Sequence, residues 1–252
     1  MKQTGPNFSS RDKILEEIDG GYQFRCFKDN GVIGLFTAER KDYRFSKQAI
    51  LNRQSLLEKL NLDSSRVVHF EQEHSSDVVC VDDFRLRQTS GHRLVCADGL
   101  ISSLKNLALA VFIADCLAVY FLDPRKRVIG LAHAGWRGTL QEICKNLIQL
   151  LSVRFQSASK DLIVTFSPAI RSCCYEVGPE VAKFFKDSVR EKNDKSFLDL
   201  AAENKRQIIE AGVQPENIID SEICTCCKGK EFFSYRKEGK KAGRMMALML
   251  LV

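Results

Sequence analysis

The chain has 252 residues, of which 44% are hydrophobic and 28% are charged, and its formal net charge is +6. This composition is ordinary for a globular protein, and the length is sufficient to bury a substantial core. No apolar stretch approaches the length of a membrane-spanning helix. The basic residues are spread along the chain without an accompanying aromatic platform, so we expect neither a nucleic acid nor a membrane as partner.

The N-terminal residues 1–19 are polar and charged, and they lack the apolar core of a signal peptide. Acidic residues match the basic ones there, whereas transit peptides are poor in acids. We therefore expect a cytoplasmic protein. In a reducing compartment the ten cysteines would serve as structural, metal-binding or catalytic thiols rather than as disulfides.

Short apolar or alternating segments predict strands, and longer segments with helical spacing predict helices. The predicted strands are residues 22–27, 32–37, 67–70, 78–81, 99–101, 107–113, 118–122, 127–133 and 162–166. The predicted helices are residues 49–60, 139–155, 181–189, 198–211 and 242–250. Thr139 and Glu142 have capping-box spacing, Asp123-Pro124 indicates a hairpin turn, and residues 191–196 suggest a charged surface loop. Together these elements predict one α/β or α+β domain with a mixed sheet.

A thiol and an imidazole stand at the ends of two predicted buried strands. Cys116 follows the apolar run 107–113, and His133 follows the run 128–132. Side chains at the ends of adjacent strands can converge in space. Because thiolate and neutral imidazole are preferred zinc ligands, and a catalytic zinc has three protein ligands, a third ligand is expected.

The chain has four histidines, so three remain for that role. His69 lies inside a strand pattern and is expected to pack. His74 lies in a polar turn, where a ligand can be presented, although an isolated histidine there is more often simply exposed. His92 lies in a Ser-Gly-His-Arg turn and is expected to face solvent.

Several motifs follow one another over residues 72–245 and carry a family resemblance. They are Gln72-Glu73-His74, Ala97-Asp98-Gly99-Leu100-Ile101, Leu107-Ala108-Leu109, Ala114-Asp115-Cys116, His133-Ala134-Gly135-Trp136-Arg137-Gly138-Thr139, Pro168-Ala169-Ile170, Cys173-Cys174-Tyr175-Glu176-Val177-Gly178, Phe232-Phe233-Ser234-Tyr235-Arg236 and Gly243-Arg244. In order and approximate spacing they resemble the YfiH family. That family was long labelled multicopper polyphenol oxidase or laccase-domain proteins and is now associated with purine nucleoside phosphorolysis.

The resemblance implies a zinc site formed by His74, Cys116 and His133, with a fourth position open to water or substrate. It also implies an α+β fold, a single α/β/β/α sandwich domain with mixed sheets over residues 1–252. The expected reaction splits adenosine, inosine, guanosine or methylthioadenosine with phosphate, and adenosine deamination is the expected second activity. The partners would thus be a purine nucleoside and phosphate. Copper could substitute for zinc, because it lies above zinc in the affinity order.

Arginines within the motifs are candidates for binding the phosphate. Arg137 follows the metal ligand at the start of a predicted helix, where an anion is favoured. Arg40 and Arg236 match arginines of the family's motifs and are the next candidates.

Two aspartates and the adjacent cysteine and tyrosine Cys174-Tyr175 complete the set of candidate site residues. Asp98 and Asp115 lie beside strand ends and are expected either to transfer protons or to orient a metal-bound histidine. A buried salt bridge is the structural alternative for both. Cys174 and Tyr175 are expected to form a wall of the site, with a nucleophilic thiol as the alternative role.

Three alternatives remain open from the sequence. A copper polyphenol oxidase would need many more histidine ligands than this chain has. An interaction protein with structural zinc would need a fourth protein ligand, such as Cys174. A second zinc site is suggested by the Cys-x-x-C spacing of Cys224 and Cys227, but no matching pair follows in the sequence.

The N-terminal part departs from the family pattern. Residues 36–42 lack the glycines that usually stand there, and Arg171-Ser172 replaces a common Gly-Pro. Such loops shape a pocket, so the preferred nucleoside is not predicted. The oligomeric state is not predicted either.

Overall fold

The computed structural model describes residues 14–44, 46–82 and 96–252. Its strands are β1 (Leu15–Ile18), β2 (Gly21–Phe24), β3 (Val32–Thr37), β4 (Val67–Val68), β5 (Val78–Cys80), β6 (Gly99–Ser102), β7 (Ala108–Ile113), β8 (Leu117–Asp123), β9 (Val128–Ala134), β10 (Ile163–Phe166), β11 (Glu176–Val177), β12 (Val189–Lys192), β13 (Lys195–Leu198), β14 (Ile218–Asp220) and β15 (Met245–Leu251). Its helices are α1 (Arg25–Lys28), α2 (Lys47–Lys59), α3 (Trp136–Leu140), α4 (Ile143–Phe155), α5 (Pro179–Ala182), α6 (Leu200–Glu210) and α7 (Tyr235–Glu238).

Two six-stranded mixed sheets form the centre of the fold. The first has the order β1-β2-β3-β15-β7-β4, and the second has the order β14-β10-β8-β9-β6-β5. Most neighbours are antiparallel, while β4–β7, β5–β6 and β10–β14 are parallel. A third, small sheet has the order β11-β13-β12.

The inner faces of the two large sheets share one apolar core. Leu109 of β7, Tyr120 of β8 and Met249 of β15 belong to it. On the outer face of the second sheet, α4 and α6 cover apolar side chains, while α2 covers the outer face of the first sheet. Helix, sheet, sheet and helix thus form four layers, which confirms the predicted α/β/β/α sandwich. Among the described residues, none of the helices combines the length and hydropathy that a membrane span requires.

The C-terminal segment is a strand, so the prediction of a helix at residues 242–250 was wrong. β15 lies between β3 and β7, and all its residues are buried. Met245, Ala247, Met249 and Leu251 face the shared core, and the alternate residues face the α2 layer. A strand buried on both faces is apolar at every position, so periodicity cannot distinguish it from a buried helix.

The predicted helix 139–155 is interrupted. α3 ends at Leu140, and α4 starts after Glu142, whose φ of 60° is left-handed. Thr139 does not cap α4, because its hydroxyl accepts a hydrogen bond from Asn204 Nδ2 of α6 at 2.9 Å. This tertiary contact outweighs the local capping pattern.

Residues 191–196 form a β-hairpin rather than a loop. β12 and β13 pair antiparallel, with Lys192 opposite Lys195. Asn193 and Asp194 connect them with φ of 51° and 57°, the left-handed pair that a tight two-residue hairpin turn requires. The predicted helix 181–189 is correspondingly reduced to α5, which ends at Ala182.

Candidate functional site

The His74, Cys116 and His133 side chains converge where the two large sheets meet. Cys116 lies on the short connection that carries the chain from β7 in the first sheet to β8 in the second. His133 lies on β9, opposite Ala118 of β8, and His74 lies on the loop before β5. One ligand atom from each of the three side chains lies within 4.8 Å of the others.

Asp98 fixes the orientation of this group. Its carboxylate is fully buried and lies 2.6 Å from Nδ1 of His133. Because a carboxylate only accepts, Nδ1 carries the proton and Nε2 is left for a ligand. The carboxylate also accepts backbone N–H bonds from Glu73, His74 and Ser75 at 3.1, 3.1 and 2.8 Å. It therefore stabilises the turn in which His74 has a left-handed φ of 62°.

The electrostatics of the group suit a cation. Burial alone would raise the pKa of the Cys116 thiol, but the neighbouring His133 and His74 lower it to about 6. Burial opposes a charge on His133 as well, yet Cys116 and Asp98 raise its pKa to about 9. At neutral pH the free pair is thus a thiolate beside an imidazolium, and a metal ion can take the place of the imidazolium proton.

Gly135 leaves room for the ligands. A Cβ at this position would lie 3.0 Å from Cδ2 of His74 and 3.1 Å from Sγ of Cys116. With two nitrogens and one sulfur as donors, and three ligands rather than four, the residues fit a catalytic zinc ion, and the same donors are compatible with copper.

A cavity of about 490 Å³ opens beside the three ligands, a size typical of small-molecule sites. Aromatic side chains and arginines dominate its lining. The aromatic residues are Phe112, Trp136, Tyr175 and Tyr235, and the arginines are Arg44, Arg137, Arg236 and Arg244.

Two of the arginines are available to bind an anion. The guanidinium carbons of Arg137 and Arg236 lie 4.4 Å and 5.4 Å from the ring centroids of Trp136 and Tyr175. Within the described ranges, these guanidinium groups have aromatic contacts but no hydrogen bond or ion pair with the protein. Stacking on a ring leaves the N–H groups of a guanidinium free for an anion.

Asp115 lines the cavity, but its carboxylate is already engaged. Oδ1 accepts a hydrogen bond from the Thr225 hydroxyl at 2.6 Å. Oδ2 accepts from the Ser234 hydroxyl at 3.0 Å and from the backbone N–H of Arg236 at 2.7 Å. The carboxylate thus anchors the start of α7, which carries Arg236 into the cavity.

Arg40 does not belong to the cavity lining. Its Nη1 donates to the backbone oxygen of Gly229 at 2.7 Å. Nη1 and Nη2 donate to the carboxylate of Glu238 at 3.0 and 2.5 Å. The guanidinium also stacks on Phe233 at 4.7 Å. It holds the segment around α7 in place rather than facing the cavity.

Tyr175 lines the cavity, whereas the preceding residue, Cys174, is not part of the lining. The Cys174 sulfur lies 3.4 Å from that of Cys227, within a group of four cysteines. Burial opposes ionisation of the neighbouring Cys224 thiol, but hydrogen bonds from the backbone N–H groups of Cys227 and Arg171 lower its pKa.

Sequence reasoning assigned no role to three polar residues of the cavity. Gln72 pins the turn before His74 to β7, since its amide exchanges two hydrogen bonds with the backbone of Phe112 at 3.0 and 2.8 Å. Arg44 pairs with Glu71 at 3.2 Å, and Arg244 donates to the Ala242 oxygen at 2.6 Å. Gln72 lies in the Gln72-Glu73-His74 motif and Arg244 in the Gly243-Arg244 motif, so these motifs could have marked both as candidate site residues.

The remaining histidines lie elsewhere. His69 follows the end of β4 and is exposed, so the prediction that it packs inside a strand was wrong. Its ring only lies edge-on against Phe112, with 5.2 Å between centroids. His92 lies outside the described residues.

Comparisons with known proteins show to which family the chain is related. The chain is 35% identical over 210 residues to purine nucleoside phosphorylase YlmD of Geobacillus stearothermophilus, which covers 79% of this chain and 77% of that protein. It is 32% identical over 205 residues to adenosine deaminase RL5 from an unknown prokaryotic organism, which covers 76% of this chain and 78% of that protein.

The fold has a close counterpart among solved structures. The crystal structure of the hypothetical protein YfiH of Bacillus licheniformis superposes with a TM-score of 0.86 at 27% identity, covering 94% of this chain and 99% of that one. Residues 42–252 match the family described as multi-copper polyphenol oxidoreductase laccase. The chain therefore belongs to this family, the YfiH family.

Proposed function

We propose that this protein is a zinc-dependent purine nucleoside phosphorylase with adenosine deaminase as a second activity. One observation carries the proposal: the three metal-ligand side chains border the same cavity as Arg137 and Arg236, whose guanidinium N–H groups have no hydrogen-bond partner among the described residues. Relatives named as a purine nucleoside phosphorylase and an adenosine deaminase support the same class of substrate.

His74, Cys116 and His133 would hold the zinc ion at the cavity wall. When bound, the ion supplies Lewis acidity, which polarises a substrate atom or activates water. Asp98 acts as a positioning residue for this site, because the hydrogen bonds of its carboxylate go to His133 and to the turn that carries His74.

Arg137 and Arg236 would bind the phosphate, which needs several N–H donors and compensation of its charge. Aromatic side chains such as Trp136 and Tyr175 would enclose the purine.

In phosphorolysis a phosphate oxygen bonds to C1′ of the ribose as the bond from C1′ to N9 breaks. The base leaves with that electron pair and takes up a proton. Asp115 positions Arg236 through the backbone of α7.

Deamination would use the same cavity, with water adding at C6 of adenine and ammonia leaving. A multicopper oxidase is not supported, because the chain has only four histidines, and His69 lies against Phe112 apart from the ligand group. A purely structural zinc at the His74, Cys116 and His133 site is disfavoured, because the described residues supply three ligands there, beside an open cavity, rather than four.

The test is chromatographic analysis of adenosine incubated with metal-quantified protein, with and without phosphate. We expect adenine only when phosphate is present, and zinc-dependent turnover. Unchanged adenine release by a Cys116→Ala variant would exclude the metal-dependent mechanism. Inosine formed regardless of phosphate would make deamination the main activity instead.

A matched pair of variants tests the phosphate site. Arg137→Ala should lower kcat/KM for phosphate by about 100-fold, because charge-assisted hydrogen bonds are lost. Arg125 is an exposed arginine on the turn after β8 and pairs with Asp161. Arg125→Ala should leave kcat/KM for phosphate unchanged. Equal rates for the two variants would remove Arg137 from the phosphate site.

A further inference from the structure

Four cysteine sulfurs gather on two neighbouring turns, one of which is followed by Tyr175 of the cavity lining. Cys173 and Cys174 lie on the turn after β10, and Cys224 and Cys227 lie on the turn after β14. All four sulfurs lie within 4.8 Å of one another. Individual separations are 3.8 Å between Cys173 and Cys174, 3.6 Å between Cys173 and Cys227, and 3.4 Å between Cys174 and Cys227.

These separations suit tetrahedral coordination. With zinc–sulfur bonds of about 2.3 Å, sulfurs at the corners of a tetrahedron are about 3.8 Å apart. The three separations given above fall short of this value by at most about 0.4 Å. A disulfide would need about 2.05 Å, and all four cysteines are free thiols.

Backbone contacts hold the two turns together without help from the cysteines. Ala169 donates its N–H to the Ile223 oxygen, and Thr225 donates its N–H to the Ala169 oxygen, both at 3.1 Å. The Arg171 guanidinium binds both carboxylate oxygens of Asp220 at 2.7 and 2.6 Å. A metal ion would therefore meet thiols that are already assembled.

Packing does not account for the cluster. Cys173 and Cys227 are exposed, so their side chains gain little as small buried hydrophobes. Cationic residues stand nearby, since Arg190 and Lys192 line the same surface depression as Cys173. Their positive charge would offset the net charge of −2 that four thiolates and one divalent zinc ion carry.

We propose that Cys173, Cys174, Cys224 and Cys227 form a second metal site, a closed four-thiolate site for a structural zinc ion. Binding converts four thiols to thiolates and releases their four protons to solvent. Cys224 and Cys227 supply the Cys-x-x-Cys spacing, and the adjacent pair Cys173-Cys174 supplies the partner that the linear sequence does not reveal. With four protein ligands no position is left for substrate, so the ion would clamp the turn that bears Tyr175 to the turn that bears Thr225.

Metal content of protein purified under reducing conditions tests the proposal. We expect two zinc ions per wild-type chain, and one in Cys116→Ala, which disrupts only the His74, Cys116 and His133 site. A Cys173→Ser/Cys227→Ser variant should also retain one. Cys226→Ser is the matched control, because Cys226 lies in the same turn next to Cys174 but outside the group of four, and it should retain two.

Cobalt(II) substitution in the Cys116→Ala background gives a second readout that does not depend on the double variant folding. Four thiolates should produce strong sulfur-to-cobalt charge-transfer absorption and intense tetrahedral d–d bands. Absence of these bands in the folded, reduced protein would overturn the proposal, as would equal zinc contents in Cys226→Ser and a folded Cys173→Ser/Cys227→Ser variant. Neither readout uses enzymatic activity, so the result stands apart from the proposed function.

Discussion

The buried carboxylate of Asp98 accepts the Nδ1 proton of His133 at 2.6 Å. The same carboxylate accepts the backbone N–H of His74 at 3.1 Å. One side chain thus orients one candidate metal ligand through its ring and another through its backbone. The side chain is fully buried, so it acts on the site through the histidines and the turn that it holds rather than by contacting solvent or substrate.

Asp98→Asn should weaken both the fold and metal binding. An amide would present N–H groups toward N–H donors, leaving buried donors unpaired at a cost of about 3 kcal/mol in unfolding free energy. Zinc affinity should fall by about 10- to 100-fold, as for other partners of metal-bound histidines. Chemical unfolding and chelator competition measure the two effects.

The pH dependence of that stability difference follows from the direction of the pKa shift. Burial would raise the pKa of Asp98, but His133 and Ser75 outweigh burial and lower it. The stabilisation is therefore fully present above about pH 4 and is lost as pH falls through the lower pKa of the folded state. The difference in unfolding free energy between wild type and Asp98→Asn should therefore become smaller in that acidic range. Asp77→Asn, at an exposed carboxylate three residues from His74, should show neither effect.

Gly135→Ala should impair the metal site more than the fold. The new methyl group would lie 3.0 Å from the His74 ring and 3.1 Å from the Cys116 sulfur, so the ligands must move apart. We expect at least about tenfold weaker zinc binding, since displaced ligands lose coordination geometry.

Gly178→Ala is the matched control for that variant. Both glycines precede helices in extended backbone, but the atoms nearest to a Cβ at Gly178 would belong to the flexible carboxylate of Glu180. Its zinc affinity should equal that of wild type. If the two variants bind zinc equally well, close approach at Gly135 is not what the metal site requires.

The rise of zinc affinity with pH should show how many protons the free Cys116–His133 pair holds. Between about pH 6 and 9 the free pair holds one proton, on His133, and zinc binding must displace it. This pair should therefore contribute about a tenfold increase in affinity per pH unit in that window, and none above about pH 9. Competition with a chromophoric chelator, corrected for the chelator's own protonation, measures the slope. A flat wild-type profile from pH 7 to 9 would contradict this prediction, because it would mean that zinc binding displaces no proton from the pair.

The sequence was most informative where residue type and motif coincide with strand ends. Cys116 and His133 follow apolar runs that form β7 and most of β9, which predicts their convergence. β15 could not be identified in this way, because a strand buried on both faces has no alternation. The break at Glu142 was also hidden, since it depends on the contact between Thr139 and Asn204 in a distant helix.

Within the candidate site, motifs indicated residues but not what each side chain does. Arg40 and Arg236 both lie in segments that match family motifs. The Arg40 guanidinium forms an ion pair with Glu238, whereas Arg236 lines the cavity. Likewise, the sequence did not predict that Cys173 and Cys174 lie close to Cys224. The two segments meet because β10 and β14 are parallel neighbours in the folded sheet. Such assignments depend on which partners the fold supplies.

Asp115 offers a direct test between an anchoring and a proton-transferring carboxylate. In Asp115→Asn, the amide oxygen can still accept from Ser234 and from the Arg236 backbone, while the amide nitrogen donates to the Thr225 hydroxyl, which can also accept. Asparagine further tolerates the left-handed φ of 82° at this position. We expect a stability loss of about 1 kcal/mol and kcat/KM within about threefold of wild type.

Asp115→Ala should behave differently, because it removes all three hydrogen bonds and places alanine in an unfavourable left-handed conformation. Its loss of stability should exceed that of the asparagine variant, and its KM for phosphate should rise as Arg236 is released. Phosphate-dependence kinetics and thermal unfolding of both variants decide the matter. A loss of about 100-fold or more in Asp115→Asn at unchanged stability would instead assign Asp115 to proton transfer, because anchoring alone survives that substitution.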